Sequence, residues 1–240
     1  MNGRLTWLPS ALKDAGLRVN VVGGWEARGR PTMHPKGLVL HHTAARTGSN
    51  APSLRVCIDG RSDLPGPLCH ILVGRDLTCH VIASGVAHHA GVGSWRGLTG
   101  NAAVIGVECE NNGTSEHWTP GMVDAMVRIS ATCANAAGFA AEMVCGHKEW
   151  APQRKIDPHT LSMNEIRRSV ATLLRPPIES QETDEMYPLI ADLYELWRKD
   201  PLGALNDFEG LRFWLRHGKA VGEEQLLLDL TGALAHAAGF

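Results

Sequence analysis

Residues 146–158 read GHKEWAPQRKIDP, and the reading of the whole chain works outward from them. His147 and Asp157 stand at its two ends, and Lys155 lies two positions before the aspartate. Pro152 and Pro158 interrupt the stretch. A proline removes an amide donor and crowds the preceding turn, so one continuous helix is excluded. The stretch is expected to be a shaped loop that brings an imidazole, a carboxylate and a cation toward one point. Upstream, GLVLHHTA (37–44) places His41 at the end of a strand that is apolar on both faces. Two histidines and a carboxylate are residue types that ligate a metal. Spacing alone leaves this open, because a histidine at a strand end is more often a hydrogen-bonded structural residue.

The segments between these two stretches alternate in character. Helices are expected over 7–16, where Pro9 suits the first turn and Gly16 the stop, and over 53–60. Strands are expected over 18–22, 37–41, 68–73, 78–82, 103–108 and 141–145. The turn Gly74-Arg75-Asp76 joins 68–73 to 78–82 as an antiparallel hairpin. Residues 119–137 form the clearest helix: Thr119 caps it, Pro120 opens it, and Val123, Met126 and Val127 begin its apolar stripe. Ser162 caps a last helix with Ile166, Val170, Leu173 and Leu174 on one face. The fold class is therefore α/β, a mixed central β-sheet flanked by helices.

Charge divides the chain. Residues 1–176 carry 18 Lys and Arg against 13 Asp and Glu, a net of +5, whereas 177–240 carry 5 against 12, a net of −7. Pro176 and Pro177 mark the change. The expected organisation is a domain over 1–176, a polar linker over 177–184, and a small helical domain over 185–240. Met186, Leu189, Ile190, Leu193, Tyr194 and Trp197 give the latter its first amphipathic helix. Three short helices make a marginal core alone, so they are expected to self-associate or to bind another surface.

The formal net charge of −2 argues against nucleic acid as a partner. No run of about 18 apolar residues is present, so no membrane insertion is expected, and residues 1–16 lack the pattern of a secretory signal. Six cysteines occur without a C-x-x-C pair and mostly within apolar stretches. Buried free thiols and synthesis in a reducing cytoplasm follow.

Five motifs in order, GLVLHHTA, CHILVGRDLT, AHHAGVGSWRG, NAAVIGVECEN and GHKEWAPQRKIDP, resemble the zinc N-acetylmuramoyl-L-alanine amidases of the peptidoglycan-recognition and phage-lysozyme superfamily. The resemblance spans about residues 25–175. It implies one zinc ion (Zn2+) per chain, held by His41, His147 and Asp157. It implies Glu108 as the group that moves the proton and Lys155 as the cation at the oxyanion. Glu110 alternates onto the same face as Glu108 and is its rival. Relatives often carry a tyrosine where this chain has Cys69, which shifts weight to Glu108.

In the same family pattern His89 and Trp95 resemble a groove wall. His89 is expected to bond a substrate carbonyl or sugar, and Trp95 either to stack on it or to pack beneath the loop. His70 is expected near the cleft, and His42, on the opposite side of the strand from His41, as a structural or supporting group. The resemblance implies hydrolysis of the amide between N-acetylmuramic acid and L-alanine of bacterial peptidoglycan. The absent signal and appended helices point to a bacteriophage endolysin, made in the host cytoplasm and reaching the cell wall after the membrane is permeabilised. The alternatives are a muropeptide-recycling amidase, a non-catalytic peptidoglycan-binding module, and a structural phage protein resting on the C-terminal residues.

Overall fold

The apolar run GLVLHH forms β2 (Gly37–His42), which lies between two parallel neighbours in a six-stranded sheet. The computed structural model describes residues 3–174, within the unit Met1–Pro176. The linker expected over 177–184 and the helices expected over 185–240 lie outside the described residues.

In chain order the strands are β1 (Val19–Val21), β2, β3 (Gly60–Arg61), β4 (Leu64–Pro65), β5 (Ile71–Val73), β6 (Cys79–Val81), β7 (Ser94–Trp95), β8 (Leu98–Thr99), β9 (Val104–Cys109) and β10 (Val144–Gly146). The central sheet runs β1-β6-β5-β9-β2-β10, while β3-β4 and β7-β8 are separate two-stranded ribbons. Only β5 and β6 pair antiparallel within the central sheet. Their short connection permits no other arrangement, whereas the parallel neighbours are joined by long crossovers. The sheet is mixed, as expected.

The helices are α1 (Leu8–Asp14), α2 (Leu54–Asp59), α3 (Pro120–Ala137), α4 (His147–Trp150) and α5 (Met163–Leu174). The Thr119 side chain accepts the Met122 amide, and Gly138 closes α3 in the left-handed conformation at φ 71°. Met122, Met126, Ile129 and Cys133 are buried with Leu8 and Leu12 of α1 and Ile166 and Val170 of α5. They pack on Leu38, Leu40, Ile105 and Val107 of the sheet. Each such aliphatic side chain contributes about 1.5–3 kcal/mol on burial, so this dry layer carries most of the stability.

The opposite face is covered more thinly. Val39, Val104 and Cys145 pack under Trp150, and Leu72 packs with Cys57 and Cys69. Between these two small clusters the sheet faces an open cleft. All six cysteines are buried and unpaired. No helix among the described residues is long and apolar enough to cross a membrane.

Three local expectations differ, the first being the strand expected over 68–73, which begins only at Ile71. The strand expected over 141–145 begins only at Val144, because Ala141–Met143 make a 3-10 turn. The loop expected over 146–158 opens with one helical turn, α4, in which the Ala151 amide reaches the His147 carbonyl at 2.9 Å. Prolines forbid helix across themselves but not in the turn before them.

Candidate metal centre and catalytic cleft

Strands β9, β2 and β10 lie side by side and parallel. Their register pairs Glu108 with His41 and Gly146 with Leu40. Glu108, His41 and His147 therefore stand in a row at the carboxyl ends of three neighbouring strands, where open α/β sheets place their ligands.

Asp157 reaches the row because the loop folds back. The Lys148 amide donates to the Asp157 carbonyl at 2.7 Å, and the Lys148 ammonium donates to the Leu161 carbonyl at 2.7 Å. The His159 amide donates to His42 Nδ1 at 3.2 Å. Gly146 permits the close return, since a Cβ there would lie 2.8 Å from Pro158 Cδ.

Proton positions in the cluster follow from its partners. His89 Nε2 lies 3.2 Å from the Val104 carbonyl, which can only accept, so Nε2 carries the hydrogen and Nδ1 a lone pair. That Nδ1 lies 3.1 Å from His41 Nε2, which therefore donates and leaves His41 Nδ1 bare. His147 Nε2 donates to the Ala90 carbonyl at 3.0 Å, leaving His147 Nδ1 bare as well. His41 Nδ1, His147 Nδ1 and Asp157 Oδ2 then converge at separations of 2.9, 3.1 and 3.1 Å. A single proton could bridge only one of these pairs. Three lone pairs so close call for a cation among them. Two imidazole nitrogens and one carboxylate oxygen suit zinc with a position left open for reaction, so the residues fit the ion that the motifs imply.

Burial holds His41 down to a pKa of about 4 despite the opposing influence of Asp157, and it holds His89 well below the usual value. Both rings are neutral at physiological pH, as a lone-pair donor requires. Glu108 is half-buried at the cleft floor, and its Oε2 is sealed from solvent without a hydrogen-bond partner. Burial pushes its pKa up to about 8, Asp157 adds to this, and Lys155 opposes it.

The cleft above these groups has a volume of about 730 Å³. His147, Asp157, Glu108 and Lys155 line it, with Arg154 and Ile156 from the same loop and Arg61 and Leu64 from the β3–β4 ribbon. Lys155 lines the cleft, where its ammonium makes no hydrogen bond or ion pair within the described residues and its charge acts on Glu108.

The sequence-predicted residues separate into two groups. His41, His147, Asp157, Glu108 and Lys155 come together. His89 borders the cleft but is only 8% exposed, and its ring nitrogens are committed to His41 and Val104. His70 is fully buried behind His89 and accepts the Gly106 amide at 2.9 Å, so no substrate reaches it. Trp95 does not line the cleft: its indole donates to the Glu142 carbonyl at 2.9 Å, and the guanidiniums of Arg167 and Arg96 lie over its ring. It is the packing alternative, not the stacking one, that this geometry favours. His42 accepts the His159 amide and also borders the cleft. Cys69 is fully buried, and burial pushes its thiol well above its ordinary value.

Glu110 is placed apart from the cleft. It accepts from the Thr43 hydroxyl at 2.7 Å and from the Ser53 amide at 2.8 Å, with Arg75 at 3.8 Å. Sequence reasoning missed Asn101, Arg154 and Arg61. Asn101 stands in the quoted motif NAAVIGVECEN, which was its only signal.

A family model described as N-acetylmuramoyl-L-alanine amidase matches residues 31–160, more than half of the chain. The chain belongs to the N-acetylmuramoyl-L-alanine amidase family. Within this family it is similar to the amidase AmiD of Escherichia coli, at 33% identity over 85 residues. That match covers 32% of this chain, and the chain spans only 31% of the length of that relative. The amidase LysC from Clostridium intestinale has a similar fold, with a TM-score of 0.50 at 18% identity over 64% of this chain and 97% of that one. The amidase match contains His41, Glu108, His147, Lys155 and Asp157, and it ends before α5.

Proposed function

We propose that the chain is a zinc-dependent peptidoglycan hydrolase that cleaves the amide between N-acetylmuramic acid and L-alanine of the stem peptide. The observation that carries this reading is the convergence of three bare lone pairs, on His41, His147 and Asp157, beside an unpartnered glutamate at the floor of an amidase-family cleft. Zinc, when bound, supplies Lewis acidity: it polarises a carbonyl and makes a water at the site easier to deprotonate.

Glu108 takes the proton from the attacking water and delivers it to the leaving amine. Its high metal-free pKa reflects burial, which outweighs the opposing charge of Lys155, and a cation at the three lone pairs would lower it further. Lys155 lies on the cleft wall with its charge free to meet the oxygen that becomes negative. His41 and His147 are buried, which excludes competing water.

Digestion of purified cell wall tests this. New L-alanine amino groups without new reducing sugar ends are expected, ceasing in chelator and returning with zinc. Asp157→Ala is expected to lose the metal, where the wild type holds about one per chain. Reducing ends alone, or full release in chelator, overturn the reading.

The finer reading is a bacteriophage endolysin, made in the host cytoplasm and acting on the wall once the membrane is breached. Six unpaired buried thiols support a reducing site of synthesis. The acidic residues 177–240 lie beyond the amidase match and supply a further segment to bind wall or self-associate. Lysis of cells that co-express the chain with a membrane-permeabilising protein is expected. A strong preference for soluble muropeptides over intact wall would instead identify a recycling enzyme.

A further inference from the structure

Both histidines of the metal centre lean on the same two residues. His41 Nε2 donates to the His89 ring, and His147 Nε2 donates to the Ala90 carbonyl. The two residues are held in turn by Asn101, whose side-chain oxygen accepts the His89 amide at 3.2 Å and the Ala90 amide at 2.8 Å. Arg154 donates to the Ala90 carbonyl at 2.7 Å, using its second lone pair. Gly106 forms the floor: a Cβ there would lie 2.4 Å from His89 Cγ.

We propose that the His89–Ala90 step, anchored by Asn101, sets the ring tautomers of both imidazoles at the metal centre, so that His89 and Asn101 are positioning residues for the metal. This rests on the zinc reading above. A neutral imidazole has two tautomers, and only the one with a bare Nδ1 can ligate through that atom. Each Nε2–H received by this step removes the unproductive tautomer. Groups of this kind, one layer behind the ligands, orient them and tune the metal. Both acceptors here are uncharged. They leave a divalent ion with one carboxylate as its only anionic ligand, so the centre keeps a positive charge that a carboxylate behind His41 would offset. Asn101 acts at one further remove, since without it the peptide step that carries both acceptors loses its fixed point.

Nitrogen-15 NMR of the histidine rings reads which nitrogen carries the proton, and competition with a chelating dye reads zinc affinity. The metal-free wild type is expected to show His41 and His147 with hydrogen on Nε2 and none on Nδ1. Asn101→Ala is expected to mix the tautomers and weaken zinc binding by about 10- to 100-fold. Asn101→Asp restores most of the loss, because a carboxylate oxygen also accepts two amides. His89→Gln, with an amide oxygen to accept from His41, loses less affinity than His89→Ala. Hydrogen on Nδ1 of His41 in the metal-free wild type overturns the proposal, as does wild-type zinc affinity in folded His89→Ala and Asn101→Ala. If Asn101→Ala does not fold, the wild-type spectrum and the two His89 variants decide. Should the wild type bind no zinc, the functional reading fails, and the tautomers of the metal-free protein alone decide this one.

Discussion

His41 and Glu108 are register partners on the adjacent parallel strands β2 and β9. Side chains at paired positions leave the same face of a sheet, so a metal-ligating imidazole and a proton-accepting carboxylate are set side by side by backbone hydrogen bonding alone. The relation needs no loop to maintain it. Glu110, two residues further on, follows the same alternation but lies under Thr43 and Ser53.

That difference separates the two acids experimentally. Glu108→Gln is expected to keep zinc and stability near wild type and to lose turnover by about 10²-fold or more. Glu110→Gln is expected to act on stability, by about 1–3 kcal/mol, because an amide nitrogen replaces an oxygen that accepts a buried donor. Turnover and denaturant midpoints of the two variants check this, and a dead but stable Glu110→Gln would reverse the assignment.

Stability of the metal-free protein should depend on pH through Glu108. Its pKa rises from 4.5 in the open chain to about 8 in the fold. The folded state therefore holds a proton that the unfolded chain releases. Any advantage of the protonated form is complete below pH 4.5 and is lost as pH climbs toward 8. Relative to Glu108→Gln, which has no charge to bury, the metal-free wild type is expected to weaken over that window. Melting temperatures of both proteins across the range test it, and zinc should shrink the difference.

Gly106 is expected to tolerate no side chain although its backbone is ordinary strand. The obstacle is the His89 ring, 2.4 Å from where a Cβ would sit, and not φ. Gly106→Ala should cost about 1–3 kcal/mol as overpacking and weaken zinc binding together with it. Unchanged affinity in calorimetric titration would show that the ring can shift freely.

Lys155→Met keeps the aliphatic stem and removes the charge. Zinc content is expected to be unchanged, and kcat to fall by about 10²- to 10³-fold, as for the loss of one oxyanion partner. A rise in KM alone would assign Lys155 to substrate binding instead.

Much of the fold was legible because its signals are local. The apolar run of β2, the Gly74–Leu77 turn between β5 and β6, and the Thr119, Pro120 and Gly138 punctuation of α3 each depend on neighbours within a few residues. The start of β10 was misplaced because a 3-10 turn and a strand can share the same short apolar composition. Of the candidate site, His41, His147, Asp157 and Lys155 were singled out from residue type and spacing and Glu108 from the resemblance, and the fold brings these five together. His89 was read as bonding a substrate, His70 as lying near the cleft and Trp95 as either stacking on substrate or packing beneath the loop, while in the fold their polar atoms are spent on His41, Gly106 and Glu142.

By itself the sequence determined the residue types at the centre, the strands that end there and the alternation that sets Glu110 on the same face as Glu108, because strand periodicity and side-chain chemistry are properties of the chain. Tertiary structure alone decided which nitrogen of each imidazole is bare, which of two glutamates is left uncovered, and that His89 supports a ligand from behind. Each of these depends on a hydrogen-bond partner brought from a distant segment, such as the Val104 carbonyl for His89 or the Ser53 amide for Glu110. Such partners exist only once the chain has closed, so no local pattern encodes them.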